Sequence, residues 1–324
     1  MVQSVRSSGR WAVVAAVVTV VLWASAFVFI RSAGAEFSPG ALALGRLLSA
    51  SIVLVVILVS TGGGLPPRAA WRGILISGVL WFGVYMVALN WAEQHIDAGT
   101  AAMVINVGPV LMALLGGFIL REGFPVRLMA GIAVSCTGAI VIGLSNSGGG
   151  SSGALGVLLC VLAATSWAIS AIAQKPALAH ASALQVTTFG CLIGTLLCLP
   201  FTGQLITEAA AAPLPATLSL IYLGVFPTAL AFTTWAYALA RTTAGKAGVT
   251  TYAVPTLVIL MAWLALGEVP TLLAVAGGLL CLAGVAITRS GPKDPRTADA
   301  ATEIESTTNP AATGASITSG SDPK

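Results

Sequence analysis

The sequence predicts an all-α membrane protein of ten transmembrane helices, built as two inverted five-helix repeats. Three observations carry this expectation: a body almost empty of charge, ten apolar runs parted by turn residues, and a chain that matches itself when shifted by about 146 positions. Of 324 residues, 57% are hydrophobic, 15 are Lys or Arg and 11 are Asp or Glu. Eleven of those charges lie before Trp11 or after Thr288, which leaves the body at about 5% charged against about 25% for an average soluble domain. Such a body cannot cover itself with polar surface, and a soluble globular enzyme is excluded. The net charge of +4 is small and scattered, so a nucleic-acid partner is not expected. Cys136, Cys160, Cys191, Cys198 and Cys281 all lie in apolar runs. They read as small buried hydrophobes rather than a disulfide or metal framework.

The runs follow in order. Trp11–Ile30, Gly40–Ser60, Ile74–Trp91, Gly99–Leu120 and Leu128–Leu144 form one set. Ala154–Ala173, Ala183–Phe201, Ala216–Leu239, Gly248–Leu266 and Leu272–Thr288 form the second. Most approach the about 20 residues that span a bilayer core, and helices can satisfy all their backbone groups in lipid. Gly62-Gly63-Gly64-Leu65-Pro66-Pro67, the Gly/Ser stretch 145–153 and Pro213-Leu214-Pro215 punctuate them. Arg6, Arg10, the first run and Ala33-Gly34-Ala35 imitate a secretory signal. The run is longer than such signals use, and the repeat needs it, so it is read as a retained helix.

Basic residues orient the bundle. With the N-terminus inside, 13 of the 15 Lys and Arg fall on cytoplasmic segments, Arg31 lies outside and Arg46 lies within a helix. The positive-inside bias therefore puts both termini in the cytoplasm. The expected organisation is a cytoplasmic N-terminus (1–10), a first repeat (11–144), a linker (145–153), a second repeat (154–289) and a disordered cytoplasmic tail (290–324). That tail is rich in Thr, Ser, Ala, Gly and Pro and cannot bury a core.

A shift of 146 superposes Gly78 on Gly224, Ala98-Gly99 on Ala244-Gly245, Pro109 on Pro255, and Leu120 and Glu122 on Leu266 and Glu268. A shift of 144 superposes Trp23-Ala24 on Trp167-Ala168 and Arg31 on Lys175. Five helices per repeat is an odd number, so the second repeat enters the membrane upside down. Secondary transporters built this way place their substrate at the repeat interface near the midplane.

Here the chain resembles a known family. Trp23-Ala24-Ser25-Ala26-Phe27, Arg46, Ala98-Gly99-Thr100-Ala101-Ala102 leading to Pro109, and Arg121-Glu122 carry the likeness in the first half. Ala244-Gly245-Lys246-Ala247 leading to Pro255, and Gly267-Glu268, carry it in the second. Together they resemble the EamA family of the drug/metabolite transporter superfamily over residues 11–289. The resemblance implies a carrier of the cytoplasmic membrane, mostly exporting small metabolites, amino acids or drugs. It names no substrate. Arg121 stands where the second half has Gly267, a departure from the pattern.

Arg46 is the only charge inside a run and lies about 9 Å along its helix, at 1.5 Å per residue. Intramembrane arginines need a carboxylate, carbonyls or water beside them. It is either an anchor for an anionic substrate or a structural tie to neighbouring oxygens. Asn106 and Tyr252 are mates under the 146 shift, each three residues before a proline. Pro109 and Pro255 free the carbonyls of Ile105 and Thr251, and freed backbone at this depth needs protein or a wet cavity against it. A plain kink is the alternative. Trp23, Trp167 and Tyr85, with Trp81 and Trp235, lie deep in their helices as substrate walls or packing residues. Trp11, Trp71, Trp91 and Trp263 lie near helix ends as anchors. Glu122 and Glu268 follow helix ends, where the dipole disfavours them, so loop structure is favoured over proton coupling. Glu93, His95 and Asp97 read as a solvated loop, with a response to external pH as the alternative. Gly131, Gly138, Ala139, Ala274, Gly278 and Gly284 fit close helix packing.

A membrane-embedded enzyme would need paired carboxylates, metal ligands or a nucleophile–histidine pair. His95 and His180 fall on opposite sides of the predicted topology, and no nucleotide-binding G-x-x-x-x-G-K-[ST] motif is present. The expected function is secondary transport by alternating access, with uptake in place of export as the alternative. No cofactor is expected. The expected partners are a small-molecule substrate, the lipid bilayer, and a coupling ion or proton. The sequence leaves the oligomeric state open.

Overall fold

The computed structural model describes residues 2–112, 151–241, 251 and 253–289, with scattered positions between 115 and 141. Every element among them is helical. The first half holds α1 (Val2–Ala33), α2 (Pro39–Ser60), α3 (Arg68–Ser77), a π-helical segment (Gly78–Tyr85), α4 (Met86–Ala92) and α5 (Ala98–Ile105). The second holds α6 (Ser151–Ala177), α7 (Ala183–Cys198), α8 (Thr202–Ala211), α9 (Leu214–Leu223), a second π segment (Gly224–Leu230), α10 (Ala231–Arg241), α11 (Ala253–Leu266) and α12 (Leu272–Arg289).

Six stretches are long and apolar enough to cross a membrane: Trp11–Ala33, Pro39–Ser60, Arg68–Ala92, Gly153–Ala177, Ala183–Ala211 and Leu214–Arg241. Ala98–Met112, Ala253–Leu266 and Val275–Gly284 are shorter apolar helices. Val13, Val17, Ile52, Val56, Leu158 and Leu264 are exposed on their outer faces, a surface that hydrocarbon covers and water would not. Part of the predicted fourth run, much of the fifth, and Glu122 between them lie outside the described residues. So do the predicted linker up to residue 150 and the tail.

The seventh predicted run ends at Phe201, whereas the helix continues through one 3-10 turn into α8 and reaches Ala211. The extension is polar for a reason. The Ser38 backbone N–H at the start of α2 donates to Glu208 Oε2 at 2.8 Å, and the carboxylate suits the positive end of that helix.

α2 and α7 run antiparallel. Gly40, near the start of α2, lies against Phe201 beyond the end of α7. Gln185, near the start of α7, donates to the Gly64 carbonyl beyond the end of α2 at 3.0 Å. Midway, Ser51 Oγ and Thr195 Oγ1 are 2.9 Å apart, and Cys191 Sγ donates to the Leu47 carbonyl at 3.6 Å. Both pairs are separated by 144 residues, the shift that also superposes Trp23 on Trp167.

The two π segments begin at Gly78 and Gly224, which the 146 shift superposes. Each widened turn packs against a helix of the other half, Gly78 on α7 and Gly224 on α2. Small residues also let α12 approach α5, since a Cβ on Gly278 would lie 2.1 Å from Met103 Sδ. Gly267 has φ +67, a region open to glycine. It reverses the chain after α11 and delivers Glu268 to the ends of α1 and α5.

Candidate functional site

A cavity lies between the halves, lined by Trp23, Phe27, Arg46, Trp81, Tyr85, Asn106, Trp167, Phe232 and Thr251 among others. Five of the six residues singled out in the sequence as binding residues converge there: Arg46, Asn106, Trp23, Trp167 and Tyr85. The sixth, Tyr252, lies outside the described residues.

Arg46 is 2% exposed. Its Nε donates to Thr228 Oγ1 at 2.8 Å, and Thr228 passes its own proton to the Leu223 carbonyl at 2.8 Å. Pro227 explains the arrangement. It has no N–H for that carbonyl four residues back, and the neighbouring hydroxyl takes the place of the missing donor. Nη1 of Arg46 is buried and has no hydrogen-bond partner among the described residues. The structural tie expected as one alternative is therefore seen at one nitrogen, which joins α2 to the second π segment.

The aromatic wall is a mutual cluster. Trp23 has ring centroids 5.9 Å from Trp81, 6.5 Å from Trp167 and 5.1 Å from Trp235. Phe232 closes on Trp81 at 4.5 Å and on Trp23 at 5.7 Å. The indole N–H groups of Trp23, Trp167 and Trp235 are buried without acceptors. Such groups usually find a partner when buried; none is present for these among the described residues, and Trp23 and Trp167 line the cavity. The cavity has about 40 Å³ of room for the centre of a water molecule, where one water needs about 10–15 Å³. It has room for a few waters.

α5 does not merely bend before Pro109. It stops at Ile105, turns at 106–107 and is helical again from 108. Asn106 Nδ2 donates to the Thr251 carbonyl at 3.4 Å, a long and weak bond. That carbonyl, four residues before Pro255, also accepts from the Val254 backbone N–H at 3.0 Å. Asn106 Oδ1 is buried and has no hydrogen-bond partner among the described residues.

Thr228 and Phe232 were missed as site residues. Pro227 was the available signal for Thr228, of the same kind as Pro109 and Pro255; nothing in the sequence marks Phe232. Glu93 is no part of a solvated loop: its side chain is 1% exposed. Glu268 instead pairs with Arg31, Nε to Oε1 at 2.7 Å, and accepts from the Ala98 backbone N–H at 3.3 Å.

Apolar helices long enough to cross a membrane surround this cavity, and the comparisons give the class, a multi-pass membrane transporter. The model of the EamA-like transporter family matches residues 10–144 and again 154–290; the chain belongs to that family. A probable terminal-alkyne amino-acid exporter of Streptantibioticus cattleyicolor is 36% identical over 274 residues, covering 85% of this chain and 92% of that protein. The uncharacterized transporter YdfC of Bacillus subtilis is 33% identical, covering 82% and 87%. A probable amino-acid metabolite efflux pump of Salmonella typhimurium is 26% identical, covering 87% and 96%. One crystal structure superposes with TM-score 0.60 at 20% identity over 86% of this chain and 97% of its own, a likeness of fold alone.

Proposed function

We propose that the protein exports amino-acid-like molecules by alternating access, binding a substrate carboxylate at Arg46 and its apolar side chain against the tryptophan wall. The observation that carries this reading is the unpartnered Arg46 Nη1 at a cavity otherwise built of aromatic rings. Arg presents a planar fork suited to carboxylates, and a buried cation without an anion is a site waiting for one. Names of two relatives, an amino-acid exporter and an amino-acid metabolite efflux pump, support the same chemistry.

The reading includes ten helices in two inverted repeats, 11–144 and 154–289, in the cytoplasmic membrane with both ends in the cytoplasm. Support for the inversion comes from the antiparallel α2 and α7, whose mates Ser51 and Thr195 meet at their crossing. The bias of basic residues supports the orientation. A reporter active only in the cytoplasm should then work after Thr288 and fail within 145–153.

The deciding experiment is counterflow in proteoliposomes. Purified protein preloaded with an unlabelled aromatic or aliphatic amino acid should accumulate the labelled one without ATP. The same side chains carried on amines lacking the carboxylate should not exchange. Equal exchange of acid and amine removes Arg46 from the site. Conversion of any solute in place of exchange ends the transport reading.

A further inference from the structure

Glu93 ends α4 one turn past Leu89, which lines the cavity, so Tyr85, Leu89 and Glu93 follow one another at four-residue spacing on one helix face. Glu93 is 1% exposed, and both carboxylate oxygens are buried without a hydrogen-bond partner among the described residues. The nearby cation does not serve them. Arg31, at the end of α1, donates Nη1 to the Glu93 backbone carbonyl at 2.6 Å and Nε to Glu268 at 2.7 Å. The position is also the C-terminal end of a helix, where the dipole opposes a negative charge. A carboxylate cannot stay ionised in a dry place without donors; it takes a proton instead.

We propose that Glu93 is a proton-binding site, filled while the end of the bundle tied by Arg31 and Glu268 is shut and emptied when that end opens to water. The groups around it come from every packed element: Arg31 on α1, Arg46 on α2, Cys160 on α6, Glu268 after α11, Asp97 in the following loop and Tyr85 on its own helix. His95 lies two residues on in the same loop. Burial is the largest influence and holds the Glu93 carboxyl well above the usual carboxylate range; Arg31 and Arg46 oppose it, while Glu268 and Asp97 add to it.

The Arg31–Glu268 pair is a breakable tie, with side chains 35% and 21% exposed, and pairs at such exposure are weak. Parting it wets Glu93, which then releases its proton on that side and leaves a carboxylate facing Arg31. Closing the end again requires a proton. In the proposed orientation this end is external, so the external proton concentration sets how readily the protein returns to the closed state. The protonation does not depend on the transport reading; only its use in a transport cycle does.

Infrared spectroscopy of the purified full-length protein tests this without a substrate. At pH 7 the wild type should show the C=O stretch of a buried, protonated carboxylic acid. Glu93→Gln should remove that band, and Glu93→Asp, which keeps the carboxyl, should shift it. Thermal unfolding gives a second readout. Unfolded glutamate titrates near about 4.3, so above that pH only the folded state holds the proton, and wild-type stability falls as pH rises towards the raised folded value. The Gln variant lacks this decline, and its advantage in Tm should widen with pH over that window. No carboxylic acid band at pH 7, a band unchanged in both variants, or parallel Tm profiles would overturn the proposal. Failure of the counterflow experiment would leave the band and the Tm gap in place.

Discussion

Where α2 crosses the π segment Gly224–Leu230, a Cβ on Gly224 would lie 2.5 Å from the Arg46 carbonyl oxygen. Where α7 crosses the π segment Gly78–Tyr85, a Cβ on Gly78 would lie 3.0 Å from the Gly190 carbonyl oxygen. The 146 shift superposes the two glycines, and the 144 shift superposes Arg46 on Gly190. The backbone joint is therefore made twice. The side chains differ: Arg46 meets Thr228 at one crossing, whereas Gly190 meets the Phe82 ring at the other, 3.0 Å from where its Cβ would be. Phe82 and Thr228 are themselves superposed by the 146 shift. One crossing is lined by an aromatic ring, and the other carries a cation. Close packing alone explains both backbones but needs no charge, and the proposed substrate carboxylate would give Arg46 a use beyond the joint.

Removing that charge should have the largest effect. Arg46→Leu should insert normally, because an apolar residue at this depth is cheaper than arginine. It should lose about 1.5–3 kcal/mol of substrate binding, read as an apparent binding constant raised by more than tenfold in counterflow. Arg46→Lys keeps the charge without the fork and should fall between. Wild-type affinity in Arg46→Leu would make the two crossings functionally alike.

Next come the joints. Gly224→Ala brings a methyl to 2.5 Å from the Arg46 carbonyl oxygen, and Gly78→Ala one to 2.7 Å from Ile193 Cβ, an overpacking that costs about 1–3 kcal/mol. Both should lower Tm by similar amounts, and a large inequality would break the equivalence. Thr228→Val comes third. It strips the Leu223 carbonyl and Arg46 Nε of one shared partner and should cost about 1 kcal/mol, lowering Tm and transport together. Asn106→Ala should be smallest, under about 1 kcal/mol on the apparent binding constant, because its bond to Thr251 is already 3.4 Å long.

Much of the site was legible from residue type and spacing. A single arginine in an apolar run must be buried against something, and Trp23 and Trp167 are picked out as mates by the repeat. Pro109 and Asn106 marked the break in α5, although spacing cannot distinguish a kink from a stop. The π segments left no trace, because one extra residue per turn changes the bonding and not the composition. The helical extension to Ala211 was hidden for the opposite reason: Gln204 and Glu208 look like loop residues until Ser38 is found beside them. Glu93 was misjudged because its sequence neighbours are polar, while its burial is set by α1, α2 and α6, which are distant in the chain.

The Arg46–Thr228 bond spans 182 positions of the chain, and that separation is also a delay. At the about 5–20 residues per second at which ribosomes extend a chain, the arginine is made about 10–40 seconds before its threonine. For most of that interval the second helix has neither α7 nor the Gly224 turn to lean on, and its charge has no built place to rest. Assembly of this protein therefore begins with a helix that the bilayer alone does not favour. Its early hold on the membrane comes from its apolar flanks, until the second half arrives to enclose it.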